Sequence, residues 1–469
     1  MRTGKKEFKI TAVILAAAML MCSCGKSISD SKSVTNGEHV TATSGDASAA
    51  DKTAKAEFGD GEIKGKESGL FGEFGAETSG DTVYYESAAD YSTSLKDVES
   101  DSEYDGGYDD YVDDDYINSI AAGMLTGGEL RDLLNWDNYL RSFDSDVLSP
   151  WKVLSDSRVV IHVHNGESSI LGVKVALTAN GKEVYSAVSD INGNAYLFTG
   201  LDGQAQAPDG VRVYKADGSY DEYKLSEIAN SKNEGEVEVE NVNKDVNVDL
   251  MFVVDTTGSM GDELDYLKAE IQDVIERAED ETGKSIRTSV NFYRDQEDEY
   301  LVRYFDFRDD AKEVSKIVGE QFASGGGDFP EAVYEAFDNA LNEHNWNEDS
   351  IKLMFVVLDA PPHDEDAKEL AELVVQAAAM GVRIIPVMSS GADAETEAIF
   401  RSYAVLTGGT YLFLDDNSGI GYSHETPANS TDYDSELLNE MMIRVIGEFC
   451  GEDLGTVVVE PTPAPVQGN

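Results

Sequence analysis

Positive charge is scarce in this chain: 36 Lys and Arg stand against 91 Asp and Glu, a formal net charge of -55 over 469 residues. A surface that negative argues against nucleic acid as a partner and against an electrostatic grip on anionic lipid. It favours solubility and is compatible with calcium-rich surroundings. Three enzyme signatures are also missing: there is no His-Glu-x-x-His, no Gly-x-Ser-x-Gly and no Gly-x4-Gly-Lys-Ser/Thr phosphate loop. Cysteine is limited to Cys22, Cys24 and Cys450. What is present is ample length for two or three domains, with 41% hydrophobic residues to build at least part of a core.

The amino terminus bears on the compartment. Arg2, Lys5, Lys6 and Lys9 precede an apolar stretch at 10–21 that is too short to span a bilayer comfortably. Met21-Cys22-Ser23-Cys24-Gly25 follows and resembles a bacterial lipoprotein signal, with Met21 where Leu is usual. Cys24 fits the lipidated position better than Cys22, because a small residue, Ser23, precedes it. The resemblance implies a signal peptide at 1–23 and a protein lipid-anchored at the extracytoplasmic face of the bacterial cell membrane. An ordinary cleaved signal peptide is the alternative. If Cys24 is acylated and Cys22 removed, Cys450 alone remains, which leaves no intrachain disulfide and no cysteine-based zinc site. Cys450 ends an apolar helical pattern and reads as a buried, inert thiol.

Residues 24–117 are rich in Ser, Thr, Gly, Ala and acids, and are expected to be a disordered acidic tether. Asp101, Glu103, Asp105 and Gly106 imitate the start of an EF-hand loop, but the twelfth position is Val112, which cannot chelate. Residues 118–157 predict a short helical segment, with Thr126 and Glu129 as a capping pair. Residues 158–247 predict an all-β unit: short β-rich runs are separated by Asn180-Gly181 and Asn192-Gly193. The turn around Asp190 to Ala195 resembles immunoglobulin-like modules of the carboxypeptidase-regulatory kind. His162 and His164 share one strand face. With no third ligand nearby in the sequence, they read as a packed or exposed strand pair rather than a zinc site.

From 248 to 450 the pattern alternates between apolar strands and helices, and the tail at 451–469 is expected to be disordered. The run 250–254 is continuously apolar and delivers Asp255-Thr256-Thr257-Gly258-Ser259-Met260 to a strand-to-helix turn. Hard oxygen donors at alternating positions suit a hard divalent cation. A capping Ser or Thr accounts for only one of them.

Asp255-x-Thr257-x-Ser259 resembles the first loop of the metal-ion-dependent adhesion site of the von Willebrand factor type A domain. The resemblance implies a doubly wound, mostly parallel α/β sheet of the Rossmann-like kind over 248–450, preceded by the sandwich and the tether. It assigns a metal-site role to Asp359, at the end of the strand-like run 352–358, which is apolar after Lys352. Between the two lies Gly325-Gly326-Gly327-Asp328-Phe329-Pro330-Glu331, where the family usually carries a Thr ligand. Gly327 stands at that position, so either Asp328 or water is the third ligand. Asp295, in Tyr293-Arg294-Asp295, and His363, in Asp359-Ala360-Pro361-Pro362-His363, are candidates to support the site from behind.

The resemblance implies Mg²⁺, or Ca²⁺ or Mn²⁺, and a protein ligand that supplies an acidic side chain. Metal-dependent adhesion without catalysis is the expected function. The alternatives are an envelope assembly module with a degenerate metal site, or a metal-assisted hydrolase using His363 beside the metal.

Overall fold

Largely apolar runs become strands covered on both faces, here with the charged Asp249 and Lys352 near their starts. All eight residues of Val248–Asp255 and all eight of Ile351–Leu358 are buried. The computed structural model describes residues 125–459, except 144, 154, 156, 202–206, 242–245, 419–426, 429 and 431–432, and the backbone of 85–86. The signal segment 1–23, Cys24, nearly all of the 24–117 tether and the chain end at 460–469 lie outside the described residues.

The described chain runs β1 (Tyr85–Glu86), β2 (Thr126–Leu130), α1 (Trp136–Tyr139) and α2 (Ser145–Leu148). Then come β3 (Ser157–Asn165), β4 (Ser168–Ser169), β5 (Lys174–Ala179), β6 (Lys182–Val188), β7 (Asn194–Thr199), β8 (Gly210–Tyr214) and β9 (Tyr220–Lys224). A single turn, α3 (Leu225–Ile228), leads to β10 (Glu234–Glu238). The α/β part comprises β11 (Val248–Asp255), α4 (Gly261–Thr282), β12 (Ile286–Tyr293), β13 (Val302–Arg308), α5 (Ala311–Gly319) and α6 (Val333–Asn342). It continues through β14 (Ile351–Leu358), α7 (Ala367–Met380), β15 (Val382–Met388), α8 (Ala394–Thr407), β16 (Tyr411–Leu414), β17 (Glu436–Leu437) and α9 (Leu438–Cys450).

The large sheet has the order β1-β13-β12-β11-β14-β15-β16-β2-β17. Its five central strands, β12 to β16 in that order, are parallel. β13 is antiparallel to β12, as its alternating pattern predicts. The residues of α4, α5 and α9 build the core on one face of the sheet, and those of α6, α7 and α8 build it on the other. No described helix is long and apolar enough to cross a membrane.

The β-unit consists of two four-stranded sheets. In one, β3 pairs with β10, β4 and β7; the other has the order β6-β5-β8-β9. Strict alternation in β3 buries Val159, Ile161 and Val163 while Arg158, Val160, His162 and His164 take the outer face. Asn180 and Gly181 have φ of 51° and 74°, the geometry a tight hairpin between β5 and β6 requires. Asp190 closes its own turn by accepting hydrogen bonds from the amides of Asn192 (2.9 Å) and Asn194 (2.8 Å).

The β-unit packs against the α6–α8 face, and its core is continuous with the core there. The Tyr185 hydroxyl donates to the Leu406 carbonyl, and Arg383 donates to the Val188 carbonyl at 3.2 Å. Gly381, which ends α7 with φ 75°, is pressed so close to Val188 that a Cβ there would lie 3.0 Å away.

Two expectations need correction. The helix signalled by Thr126 and Glu129 is a strand: β2 lies antiparallel between β16 and β17 and extends the large sheet. Its glycines explain the outcome. Gly127 and Gly128 disfavour a helix, and a Cβ on Gly127 would fall 2.2 Å from the Phe413 carbonyl oxygen. Among the described residues of this segment, helices occur only as the short α1 and α2. The described part of the tail is also held: Val459 donates to the Ser435 carbonyl at 2.7 Å, and Val458 bridges to Glu436.

Candidate metal centre

Parallel sheets present ligands beyond the carboxyl ends of their strands. Asp255 is the last residue of β11, paired with Tyr293 at the end of β12. Asp359 follows directly after β14. Adjacent strands thus bring these two carboxylates to one edge.

The first loop folds back on its own aspartate. Asp255 Oδ1 accepts from the Thr257 amide at 2.8 Å and from the Thr257 hydroxyl at 2.7 Å. The Thr257 and Ser259 hydroxyl oxygens stand 3.5 Å apart. Ser259 is exposed and close enough to Asp359 to lower its carboxyl pKa, against the larger upward push of burial. The loop then enters a short 3-10 turn and α4, whose Glu263 accepts from the Ser390 amide and hydroxyl.

The glycine loop lies directly over the first loop. Gly258 donates to the Gly325 carbonyl at 3.2 Å, and Ser324 to the Thr256 carbonyl at 3.0 Å. Gly325 has φ 82°, and a Cβ there would lie 2.2 Å from Asp298 Oδ1. Only glycine therefore fits this approach. Asp298 also accepts from the Gly326 amide at 2.9 Å.

This loop brings in an acid that the sequence reading did not select. Glu331 is buried and lies against Thr257 and Gly326. Asp328 is exposed on the same turn, and among the described residues no hydrogen bond or ion pair joins it to Asp255, Thr257 or Asp359. Helix α6 begins at Val333, so Glu331 precedes the helix and is fixed by its amide donating to the Pro361 carbonyl at 2.9 Å. Three successive glycines made position counting ambiguous. The usable signal was that Glu331 is the first acid after the Pro that turns the chain inward.

Asp295 and His363 also meet. His363 Nε2 lies 2.8 Å from Asp295 Oδ1, and the imidazole pKa is raised: burial pushes it down, but Asp295, with Glu365 and Asp366, together outweigh that effect. Glu335, in the first turn of α6, is buried nearby.

The electrostatics are one-sided. Burial, then the Asp359 charge, pushes the Asp255 carboxyl up to about 7. Burial, then the charges of Asp255, Asp295 and Asp359, pushes Glu331 up to about 9. Burial, then Glu263, pushes Asp359 up to about 6. The Tyr293 hydroxyl, buried beside Asp255, is pushed well above its ordinary value, chiefly by burial. Asp255 Oδ2, Asp359 Oδ1, Glu331 Oε2 and Glu263 Oε2 are all buried without a hydrogen-bond partner. Buried carboxylates left unpaired cost several kcal/mol each unless protonated or matched by a cation, on the order of the penalty for any buried charge. Among the described residues, no group of three or more His, Cys, Asp and Glu side chains stands ready to hold a metal ion by itself.

The family model for the von Willebrand factor A domain matches residues 249–416. The chain thus contains a von Willebrand factor A domain, a class that typically mediates protein–protein interaction. An ariadne-like RING finger protein of Acanthamoeba polyphaga mimivirus is 28% identical over 192 residues, covering 36% of this chain and 18% of the viral protein. The alpha-protein kinase vwkA of Dictyostelium discoideum is 27% identical over 137 residues, covering 27% of this chain and 20% of the kinase. The chain thus spans about a fifth of the length of these relatives. Among solved structures, the conserved hypothetical protein BatB of Bacteroides thetaiotaomicron is 13% identical. It has a TM-score of 0.31, covering 44% of this chain and 100% of that one. A likeness of this degree says nothing about function.

Proposed function

We propose that the A domain binds a divalent cation, Mg²⁺ or else Ca²⁺ or Mn²⁺, and uses it for metal-dependent protein–protein interaction at a membrane-anchored surface. The observation that carries this reading is the set of orphaned buried oxygens on Asp255, Asp359 and Glu331 around the Thr257 and Ser259 hydroxyls. Hard oxygen donors of this kind suit a hard cation, and a cation supplies the counter-charge that the carboxylates lack. Asp255, Thr257, Ser259 and Asp359 would hold it, with Glu331 taking the part expected of Asp328 or water. Asp295 and His363 brace the site from behind Glu331. The domain acts without catalysis, and a partner carboxylate completes the cation's shell.

The Glu331 carboxylate favours a second reading as well. With an acid already at the third loop, the cation has less need of a partner's charge and serves to clamp the loops together in an envelope assembly module. Calorimetric titration with Mg²⁺, Ca²⁺ and Mn²⁺ tests both. Asp255→Ala should abolish binding while the fold survives; unchanged affinity in that variant would place the site elsewhere. If an acidic partner captured from surface extracts binds equally well with and without chelator, the adhesion reading fails and the clamp remains.

A further inference from the structure

Acids outnumber bases by more than two to one, 91 against 36, yet one half-buried arginine stands without a carboxylate partner. Among the described residues Arg158, on the outer face of β3, makes one hydrogen bond, to the Leu133 carbonyl, and no ion pair. Its guanidinium lies over the Trp136 ring at 5.0 Å and the Tyr196 ring at 6.0 Å. A carbonyl and two ring faces orient the group without cancelling its charge. Burial lowers its pKa, against the opposing pull of Tyr196, Asp137 and Glu234. Most of the guanidinium donors are left for a ligand.

Arg158 forms part of the wall of a cleft of about 690 Å³ between α1, β3 and the turn that enters β10. That volume is within the roughly 300–1,000 Å³ of small-ligand sites. Arg141 and Lys232 also line it, so three cations face two acids, Asp137 and Glu234. Glu234 is drawn toward Asn230, whose Nδ2 donates to it at 3.2 Å. The lining thus carries a net charge of +1 inside a strongly acidic chain. Asn135, Asn233 and the Trp136 indole complete the wall. Among the described residues, the polar groups of these three side chains make no hydrogen bond within the protein. An amide offers a donor and an acceptor side by side, the pairing that neighbouring hydroxyls of a sugar require.

We propose that this cleft binds an anionic sugar, with the oxyanion on Arg158 and Lys232 and the ring hydroxyls on Asn135 and Asn233. The guanidinium fork fits a carboxylate or a phosphate, so either group can carry the charge. A sugar is favoured over an acidic peptide by the charge of the lining. One oxyanion matches a net charge of +1, whereas each further acid of a peptide would meet Asp137 or Glu234. The site is independent of the A-domain cation, and it gives the β-unit a ligand of its own.

The full chain is titrated calorimetrically in EDTA, which keeps the A-domain site out of the measurement. The probes are digalacturonic acid, its neutral dimethyl ester and glucose 6-phosphate. Saturable, salt-sensitive binding of at least one acidic probe in the sub-millimolar range is expected. The two acidic probes tell carboxylate from phosphate. Arg158→Ala should weaken binding roughly tenfold or more. Arg158→Lys, which keeps the charge and loses the fork, should weaken it by less. Lys232→Ala, at an exposed position that leaves the fold intact, should also weaken it, and Asp137→Asn should tighten it. Asp255→Ala should leave it unchanged. Equal binding of the acid and its ester, undiminished binding in both Arg158→Ala and Lys232→Ala, or no binding of either acidic probe at millimolar concentration overturns the proposal. Tighter binding of a polyglutamate peptide than of either acidic sugar overturns the assignment to a glycan.

Discussion

Asp132 and Arg401 form a buried, two-pronged ion pair across 269 residues of chain: Oδ2 accepts from Nε and Oδ1 from Nη2, both at 2.7 Å. Arg401, in α8, is 1% exposed and is also held by Glu397 at 2.7 Å. The pair fastens the segment before the β-unit to the A domain, on the face where α1 also docks through Tyr139 and Ser402 at 2.9 Å. Breaking it by Asp132→Ala leaves a guanidinium buried with one acid instead of two. The expected loss is roughly 3 kcal/mol, toward the low end for a broken buried pair because Glu397 remains. Urea denaturation followed by fluorescence measures it. A loss no larger than that of a surface substitution would mean that the segment detaches freely.

The carboxylates of the proposed metal centre should reverse the ordinary pH dependence of stability. Without metal, Asp359, Asp255 and Glu331 hold protons more tightly when folded, with pKa values of about 6, about 7 and about 9. Their favourable contribution is complete below the ordinary carboxyl range near about 4 and is lost as pH rises through these values. The melting temperature in chelator should therefore fall between about pH 5 and about pH 9. Saturating Mg²⁺ should restore most of the loss, because the cation stands in for the protons. A metal-free melting temperature that rises over this range contradicts the assignment.

Replacing Cys24 by Ala should release the protein from the membrane or stall its processing. The basis is the basic cluster Arg2 to Lys9, the short apolar stretch and Ser23-Cys24. Fractionation of cells that express the two forms decides it. Equal anchoring of both excludes a lipid on Cys24.

Much of the fold was legible because period and burial agree. The largely apolar strands β11 and β14, the alternating β13 and the glycine that closes α7 all follow from local pattern. Asp255, Thr257, Ser259 and Asp359 were legible for the same reason, since each sits at or just after the end of such a strand. β2 was not. Five residues with two glycines carry little period, and the partners that make them a strand, β16 and β17, lie about 280 to 310 residues away in sequence. Glu331 was missed on different grounds. Which acid of a glycine-rich turn faces inward depends on its backbone path, here set by Gly325 and Gly326 at φ 82° and 73° and by the Asp298 carboxylate beneath them.

Glu331 gives the sharpest test of the site. It is buried against Thr257 with one oxygen unpartnered, whereas Asp328 is exposed. Glu331→Gln keeps the shape and removes the charge, and Mg²⁺ affinity should fall at least roughly 10- to 100-fold, the loss typical even of a residue that only supports metal ligands. Asp328→Ala should leave affinity within about twofold, as expected of a surface charge screened by water. Glu331→Thr installs the residue that the family usually carries in this loop and removes a negative charge from the cation's surroundings. That variant should bind metal more weakly on its own yet depend more steeply on an acidic peptide, because the peptide then supplies the charge that Glu331 provided. Titrations of the three variants, with and without acidic peptide, separate the possibilities. Loss of affinity in Asp328→Ala with none in Glu331→Gln would return the third position to Asp328.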